Sequence, residues 1–303
     1  MPKLIFGCGY LGLRVAALWR EAGEKVHVVT RSQERAAELS TAGYFPLVAD
    51  ITQPQALASL SLPDTLSTIL FAVGFDRHCG QSIQEVYAGG LKNVLSLLNR
   101  RPSSAPDRFI YISSTGVYGS PEGGGTGGAD WVDEQTPCHP LREGGQACLA
   151  AEELLQNHPL GQRAVILRLA GIYGPGRIPR AKDLQAGVPI DAPAEGYLNL
   201  IHVADAAQIV LLAETQAAPP TTYVVADGSP VLRAEYYREL ARLLKAPSPT
   251  FIPPAPDSPA ARRAASDKRI SPARLFRDLQ PHLAFPSYRE GLAAIVADGP
   301  SRD

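Results

Sequence analysis

The chain has 303 residues, with 29 Lys+Arg against 30 Asp+Glu and a formal net charge of -1. That balance excludes the broad positive field of a nucleic-acid or anionic-membrane binder, and 45% hydrophobic with 19% charged residues excludes a disordered chain. Four cysteines (Cys8, Cys79, Cys138, Cys148) without a CxxC pair or a Cys/His cluster make neither a disulfide framework nor a zinc site. No apolar run approaches the ~18 residues of a membrane span, and the opening MPKLIFGCGYLG reads as a buried strand rather than a signal peptide. The expectation is a soluble, cytoplasmic protein with no metal, nucleic-acid or membrane partner.

The first hundred residues repeat a short apolar run, a turn and a helically spaced stretch. Leu4-Ile5-Phe6 is the first strand, and Leu11, Val15, Leu18, Trp19 and Ala22 then recur at helical spacing up to the stop signal Gly23. Lys25 to Thr30 alternates as a second strand, and Ser32 is placed to cap a helix from Gln33. Strands follow at 44–49 and 67–72, then one long helix from Ile83 to Leu98, and strands at 108–113 and 164–169. Strands alternating with helices at this spacing give an α/β, Rossmann-type doubly wound parallel sheet over residues 1–174.

After Gly174 proline and glycine become frequent, and residues 247–259 hold six prolines, which no helix or central strand accepts. Residues 175–303 therefore read as a smaller, partly interleaved substrate lobe, with parts of 196–228 returning to complete the sheet. Ile201-His-Val-Ala-Asp205 leads into a helix over 206–213, Tyr223-Val-Val reads as a strand and Arg233–Leu244 as a helix. Glycines 123–125, 127 and 128 read as a flexible loop, since no helix follows to make a phosphate cradle.

The chemistry begins at Gly7-Cys8-Gly9-Tyr10-Leu11-Gly12. GxGxxG is informative here because it follows a strand and opens a helix. The first glycine makes the turn, the second lets a pyrophosphate approach the backbone, and the third packs helix on strand. The helix N-terminus then supplies free N–H groups and positive potential for the phosphates, which makes Gly7, Gly9, Tyr10, Leu11 and Gly12 the expected cofactor-binding residues of the loop. At the end of the second strand, where an NAD site usually offers Asp or Glu, stand Thr30-Arg31-Ser32. A carboxylate repels a 2′-phosphate and a guanidinium grips it, so NADP is favoured over NAD; the alternative is an ordinary solvated arginine. Asp50, with Ile51, is placed to accept from the adenine amine, and Ala72-Val73-Gly74 to let the cofactor lie near the backbone.

These motifs carry a resemblance. The chain is similar to extended short-chain dehydrogenases/reductases of the NAD-dependent epimerase/dehydratase family through the glycine loop, Asp50, Gly90-Leu-Lys-Asn93, Tyr111 to Gly119, Arg168-Leu-Ala-Gly-Ile-Tyr-Gly-Pro175 (with Ala170 on the cofactor side) and Ile201 to Asp205. Trp131-Val-Asp-Glu134, Lys268-Arg-Ile-Ser271 and Pro286 to Leu292 resemble an atypical, YeeZ-like bacterial subgroup. The resemblance implies a nicotinamide cofactor and a catalytic Ser/Thr, Tyr and Lys. A phenol of pKa about 10 is a poor base at neutral pH unless a cation stabilises its anion.

Ser114 matches the Ser/Thr position, but the helix after Pro140 places Gly144 at the tyrosine and Cys148 at the lysine, and neither can do that work. Tyr118, Tyr173 and His202 belong to motifs that ordinary members carry beside their catalytic tyrosine. His139 and Arg142 precede the helix. Gly171 and Leu198 replace the asparagine and arginine that nucleotide-sugar enzymes use, which argues against a nucleoside-diphosphate sugar. The segment Leu184 to Ile190 still resembles the substrate-cleft loop. Two readings stand: an NADP(H)-dependent oxidoreductase or epimerase-like enzyme with an unconventional proton donor, or a non-catalytic NADP(H) sensor. A lyase or isomerase keeping the cofactor as a structural element is a third. The small-molecule ligand is not legible, and the chain is expected to be a monomer or homodimer.

Overall fold

The computed structural model describes residues 1–101, 105–119, 130–256, 258, 260–261 and 267–298; the expected flexible loop at glycines 123–128 lies outside them. In chain order the amino-terminal elements are β1 (Lys3–Phe6), α1 (Gly12–Glu21), β2 (Val26–Thr30), α2 (Gln33–Thr41), β3 (Phe45–Val48), α3 (Pro54–Ala58), β4 (Thr68–Phe71), α4 (Gly90–Asn99), β5 (Arg108–Ser114) and α5 (Glu143–Gln156). With Ala164–Leu169 and Thr221–Val225 the strands form a seven-stranded sheet, ordered Thr221–Val225, Ala164–Leu169, β5, β4, β1, β2, β3. β1 pairs in parallel with β2 and β4, β2 with β3 and β4 with β5. The doubly wound sheet read from the sequence is the observed one. Its strand order reverses between β1 and β4, which is where open α/β sheets bind ligands, beyond the carboxyl ends of the strands.

Local chemistry explains these elements. β1, β4 and Ala164–Leu169 are buried along their whole length because helices cover both faces, so they read as continuous apolar runs. α1 buries Val15, Ala16 and Trp19. The Ser32 hydroxyl accepts from the Arg35 N–H and caps α2, as its position before Gln33 predicted. The continuous helix expected over 83–98 is instead a π turn, Glu85–Gly89, running into α4. The two glycines at this junction have little intrinsic preference for α geometry, and Gly90 lies so close to Ile51 that a Cβ would meet its Cδ1 at 2.5 Å. α5 starts at Glu143 despite Gly144 and Gly145 in its first turn.

The chain divides into two compact units. The first is Met1–Ser114, Glu143–Arg168 and Ala207–Tyr223, and the second is Thr115–Arg142, Leu169–Ala206 and Val224–Asp303. The first is built on Leu4, Phe6, Ile69, Phe71, Leu91 and Phe109. In the second, Gly171–Tyr173 runs parallel to Leu200–His202, and Tyr173, Tyr236, Leu240, Tyr288 and Leu292 form the core. Arg233–Leu244 is a helix as expected, and the segment expected as a cleft loop, Leu184 to Ile190, begins in the last residues of the short helix Ala181–Gln185. No helix among the described residues is long and apolar enough to cross a membrane.

Candidate dinucleotide site

The first unit carries a cavity of about 290 Å³ at the carboxyl ends of β1, β2 and β4. Of the residues singled out for the cofactor, Gly7, Gly9, Thr30, Arg31, Asp50, Ile51, Val73 and Gly74 line it. Each glycine in the loop meets a different surrounding. Gly7 has φ +93°, and a Cβ there would lie 2.5 Å from the Ala72 carbonyl. At Gly12 a Cβ would lie 2.2 Å from the Gly7 carbonyl oxygen, so α1 sits directly on the turn. At Gly9 a Cβ meets nothing within 4 Å, although the residue lines the cavity. Two glycines are demanded by the fold, and the third keeps space open.

α1 begins beside this space with no side-chain cap hydrogen bond and no acid in its first turn. The Leu13 and Arg14 N–H groups already donate to the Gly9 and Leu11 carbonyls, so what α1 offers a ligand is its positive dipole end. This fits the phosphates of a dinucleotide. Leu11 is buried, and Tyr10 stacks on the Arg14 guanidinium at 4.3 Å. Ala72 lies beneath Gly7, and Ser32 is engaged as the cap of α2. Tyr10, Leu11, Gly12, Ser32 and Ala72 thus do not line the cavity. Ala170 lies in the second unit, its N–H donating to the Val225 carbonyl. Asp50 Oδ1 accepts from the N–H and hydroxyl of Thr52 at 2.9 and 2.6 Å, which fixes its carboxylate at the rim. The Cys8 thiol is pushed up to about 11 by burial, against the opposing pull of Arg35, so it stays protonated.

The loop after β4 contributes Asp76, Cys79 and Gln81 to the same cavity, none of them found from the sequence. Asp76 Oδ2 lies 3.2 Å from Arg31 Nη2. Spacing along the chain gives no sign of this pair, because a loop brings it together across 45 positions.

A second polar group stands where the resemblance looks for catalysis. Ser114 ends β5. On α5, Gly144, Cys148 and Glu152 follow one another by helical turns. The Cys148 side chain is buried, hydrogen-bonded with the Tyr111 and Ser113 hydroxyls, and pushed up to about 11 by burial first and Glu152 second. Burial likewise holds the Tyr111 phenol well above its ordinary value. Glu152 accepts from Ser113 and from Arg168, whose Nη2 lies at 2.6 Å, making a buried, multiply bonded ion pair. Cys148 is thus a protonated thiol packed as a small buried side chain within a polar cluster.

The second unit resolves the remaining motif residues. Tyr173 is fully buried, with its hydroxyl donating to the Ser287 carbonyl at 3.2 Å. The His202 ring packs against Tyr173 and Phe285, and the Asp205 carboxylate accepts from the Ala284 and Phe285 N–H groups. This element braces the 284–287 segment. Leu198 pairs with Val231, and Gly171 lies under the Asn199 carbonyl, where a Cβ would meet the oxygen at 3.1 Å. Tyr118 is buried and His139 exposed. Lys268, flagged only by its motif, is buried and donates to the Gly119 carbonyl at 3.0 Å; burial, with Arg142 nearby, lowers it to about 8.

The model of the NAD dependent epimerase/dehydratase family matches residues 4–226. The chain belongs to that family. It is 30% identical to protein YeeZ of Escherichia coli K12 over 256 residues, covering 82% of this chain and 85% of YeeZ. A conserved protein of unknown function from Silicibacter pomeroyi superposes with TM-score 0.75 at 27% identity, covering 98% of each chain. A UDP-glucose 4-epimerase from Thermotoga maritima superposes with TM-score 0.77 over 98% of each chain. At 17% identity the latter likeness shows the fold alone. The family places an NAD(P)-binding Rossmann-type fold around the glycine turn.

Proposed function

We propose that the chain binds NADP(H) and acts as an oxidoreductase or epimerase-like protein on a small molecule without the usual Tyr-x-x-x-Lys pair. The observation that carries the cofactor choice is Arg31, which lines the cavity at the end of β2 where an NAD site has a carboxylate. A guanidinium there offers a fork of donors to a 2′-phosphate. In this reading the open space at Gly9 and the uncapped start of α1 receive the pyrophosphate, and Asp50 accepts from the adenine amine.

When bound, the nicotinamide supplies the hydride, and the protein supplies placement and proton handling. Ser114 is the retained residue of the catalytic set, and its hydroxyl orients the substrate oxygen. With Gly144 and Cys148 at the tyrosine and lysine positions, the proton comes from a group outside that set. NAD complexes among the structural neighbours, such as dTDP-glucose 4,6-dehydratase from Bacillus anthracis, support a dinucleotide in this fold. Four cysteines with no disulfide among them suit a cytoplasmic setting.

A second reading, a non-catalytic NADP(H) sensor, is favoured by one observation: the Cys148 thiol is buried, hydrogen-bonded with Tyr111 and Ser113 and raised to about 11, so it stays protonated and is no base near neutrality. Calorimetric titration of wild type and Arg31→Ala tests the cofactor choice. Loss of the charge-assisted contact should weaken NADP by about tenfold or more while NAD changes little. Equal weakening of both would reject Arg31 as the selector. NADPH consumption across a carbonyl and sugar panel then separates the two readings, since turnover rejects the sensor.

A further inference from the structure

Arg31 does not stand alone at the mouth of the cavity. Its Nη2 lies 3.2 Å from Asp76 Oδ2, and both residues line the cavity. The side chains are 56% and 46% exposed, so the pair is solvated and easily opened. Asp76 does not depend on Arg31 to hold its shape or charge. Its Oδ1 accepts from the His78 N–H at 2.9 Å, closing a turn on its own loop. That backbone hydrogen bond is also the first cause of its lowered pKa, with Arg31 second. When Arg31 turns to another anion, Asp76 stays in place and stays ionised.

We propose that Asp76 is an exchangeable counter-ion of Arg31, so that a 2′-phosphate binds by displacing a carboxylate that remains beside it, and that Asp76 thereby limits the preference for NADP over NAD. This rests on the reading that Arg31 receives the 2′-phosphate. An approaching phosphate meets a neutral pair rather than a lone cation, and after exchange it lies beside a fixed negative charge. A ribose with a free 2′-hydroxyl brings no charge and pays no such penalty. The discriminating element is therefore the pair, formed between the end of β2 and the loop after β4. Of the two residues, Arg31 favours the phosphate and Asp76 opposes it.

Asp76→Asn tests this with the smallest change, because the side-chain oxygen that accepts from His78 is kept while the charge is removed. Calorimetric titration of the full chain with NADP and with NAD, at low and high salt, reads the effect. At low salt the variant should bind NADP about three- to tenfold more tightly, as expected for removing one solvated like charge from a phosphate's neighbourhood. The gain should shrink at high salt, and NAD affinity should stay the same or fall. Unchanged NADP affinity, or equal tightening of both nucleotides, would overturn the proposal. Arg31→Ala measured in parallel tells the two failures apart. If Arg31→Ala weakens NADP selectively and Asp76→Asn has no effect, only the counter-ion role falls. If Arg31→Ala weakens both nucleotides equally, or wild type binds no NADP, the 2′-phosphate reading falls with it. Thermal melting of both variants guards against a folding defect, which the exposure of the pair makes an unexpected result.

Discussion

Replacing the three loop glycines one at a time separates binding from folding. An alanine at Gly9 adds a Cβ that meets no protein atom within 4 Å, in a residue that lines the cavity and is outside the left-handed region. In the free protein Gly9→Ala should therefore be neutral, or stabilise by up to about 1 kcal/mol through the loss of unfolded-chain freedom. The same methyl occupies the space through which a pyrophosphate approaches the backbone. Losing one hydrogen bond to a charged group, at roughly 1.5–3 kcal/mol, predicts about ten- to 150-fold weaker dinucleotide binding. Gly7→Ala gives the opposite pattern. There a Cβ lies 2.5 Å from the Ala72 carbonyl at φ +93°, so the variant should lose roughly 1–3 kcal/mol or more of stability. Gly12→Ala, with its 2.2 Å approach to the Gly7 oxygen, should follow Gly7. Thermal melting and calorimetry on the same preparations are the assays. A Gly9→Ala protein that binds as tightly as wild type would refute the assignment of that space to a ligand, and one that unfolds would refute the contact geometry.

Two further outcomes follow from buried polar groups. Asp227 accepts from the Ser229 N–H through Oδ1, its Oδ2 is buried with no hydrogen-bond partner, and burial first, then Asp205 and Glu290, push it up to about 7. The folded state thus holds a proton that the unfolded chain releases near pH 4, so stability should fall as pH rises from about 4 to about 7. Asp227→Asn should match wild type near pH 4 and exceed it at pH 8, by an amount on the order of 2–4 kcal/mol; a pH-independent difference in melting temperature would count against this. Gly144→Tyr with Cys148→Lys rebuilds the expected pair on α5, and gained NADPH-dependent carbonyl reduction would support the placement of that helix. A folded, cofactor-binding double variant without activity would count against it.

Much of the fold was legible because parallel sheets buried on both faces leave unbroken apolar runs, as at residues 4–6 and 164–169. The glycine turn was legible because each of its steric demands selects one residue type. The π turn at Glu85–Gly89 was not, since a local change in winding leaves the hydrophobic pattern nearly helical. Asp76 was hidden for another reason: a loop residue acquires meaning only from what the fold places beside it, and its partner Arg31 is 45 positions away. The cluster of Tyr111, Ser113, Cys148, Glu152 and Arg168 joins β5, α5 and the strand Ala164–Leu169. These residues are scattered along the sequence, and only the fold shows that burial first and Glu152 second raise the Cys148 thiol against the opposing pull of its Tyr111 and Ser113 hydrogen bonds.

The most direct test of the central claim is calorimetric titration of the full-length protein with NADP, NADPH, NAD and NADH under one buffer and salt condition. Saturable binding of one dinucleotide per chain, tighter for the 2′-phosphorylated pair, is the predicted result. Absence of binding by all four would contradict the dinucleotide site at the glycine turn, and tighter binding of the unphosphorylated pair would contradict the role given to Arg31.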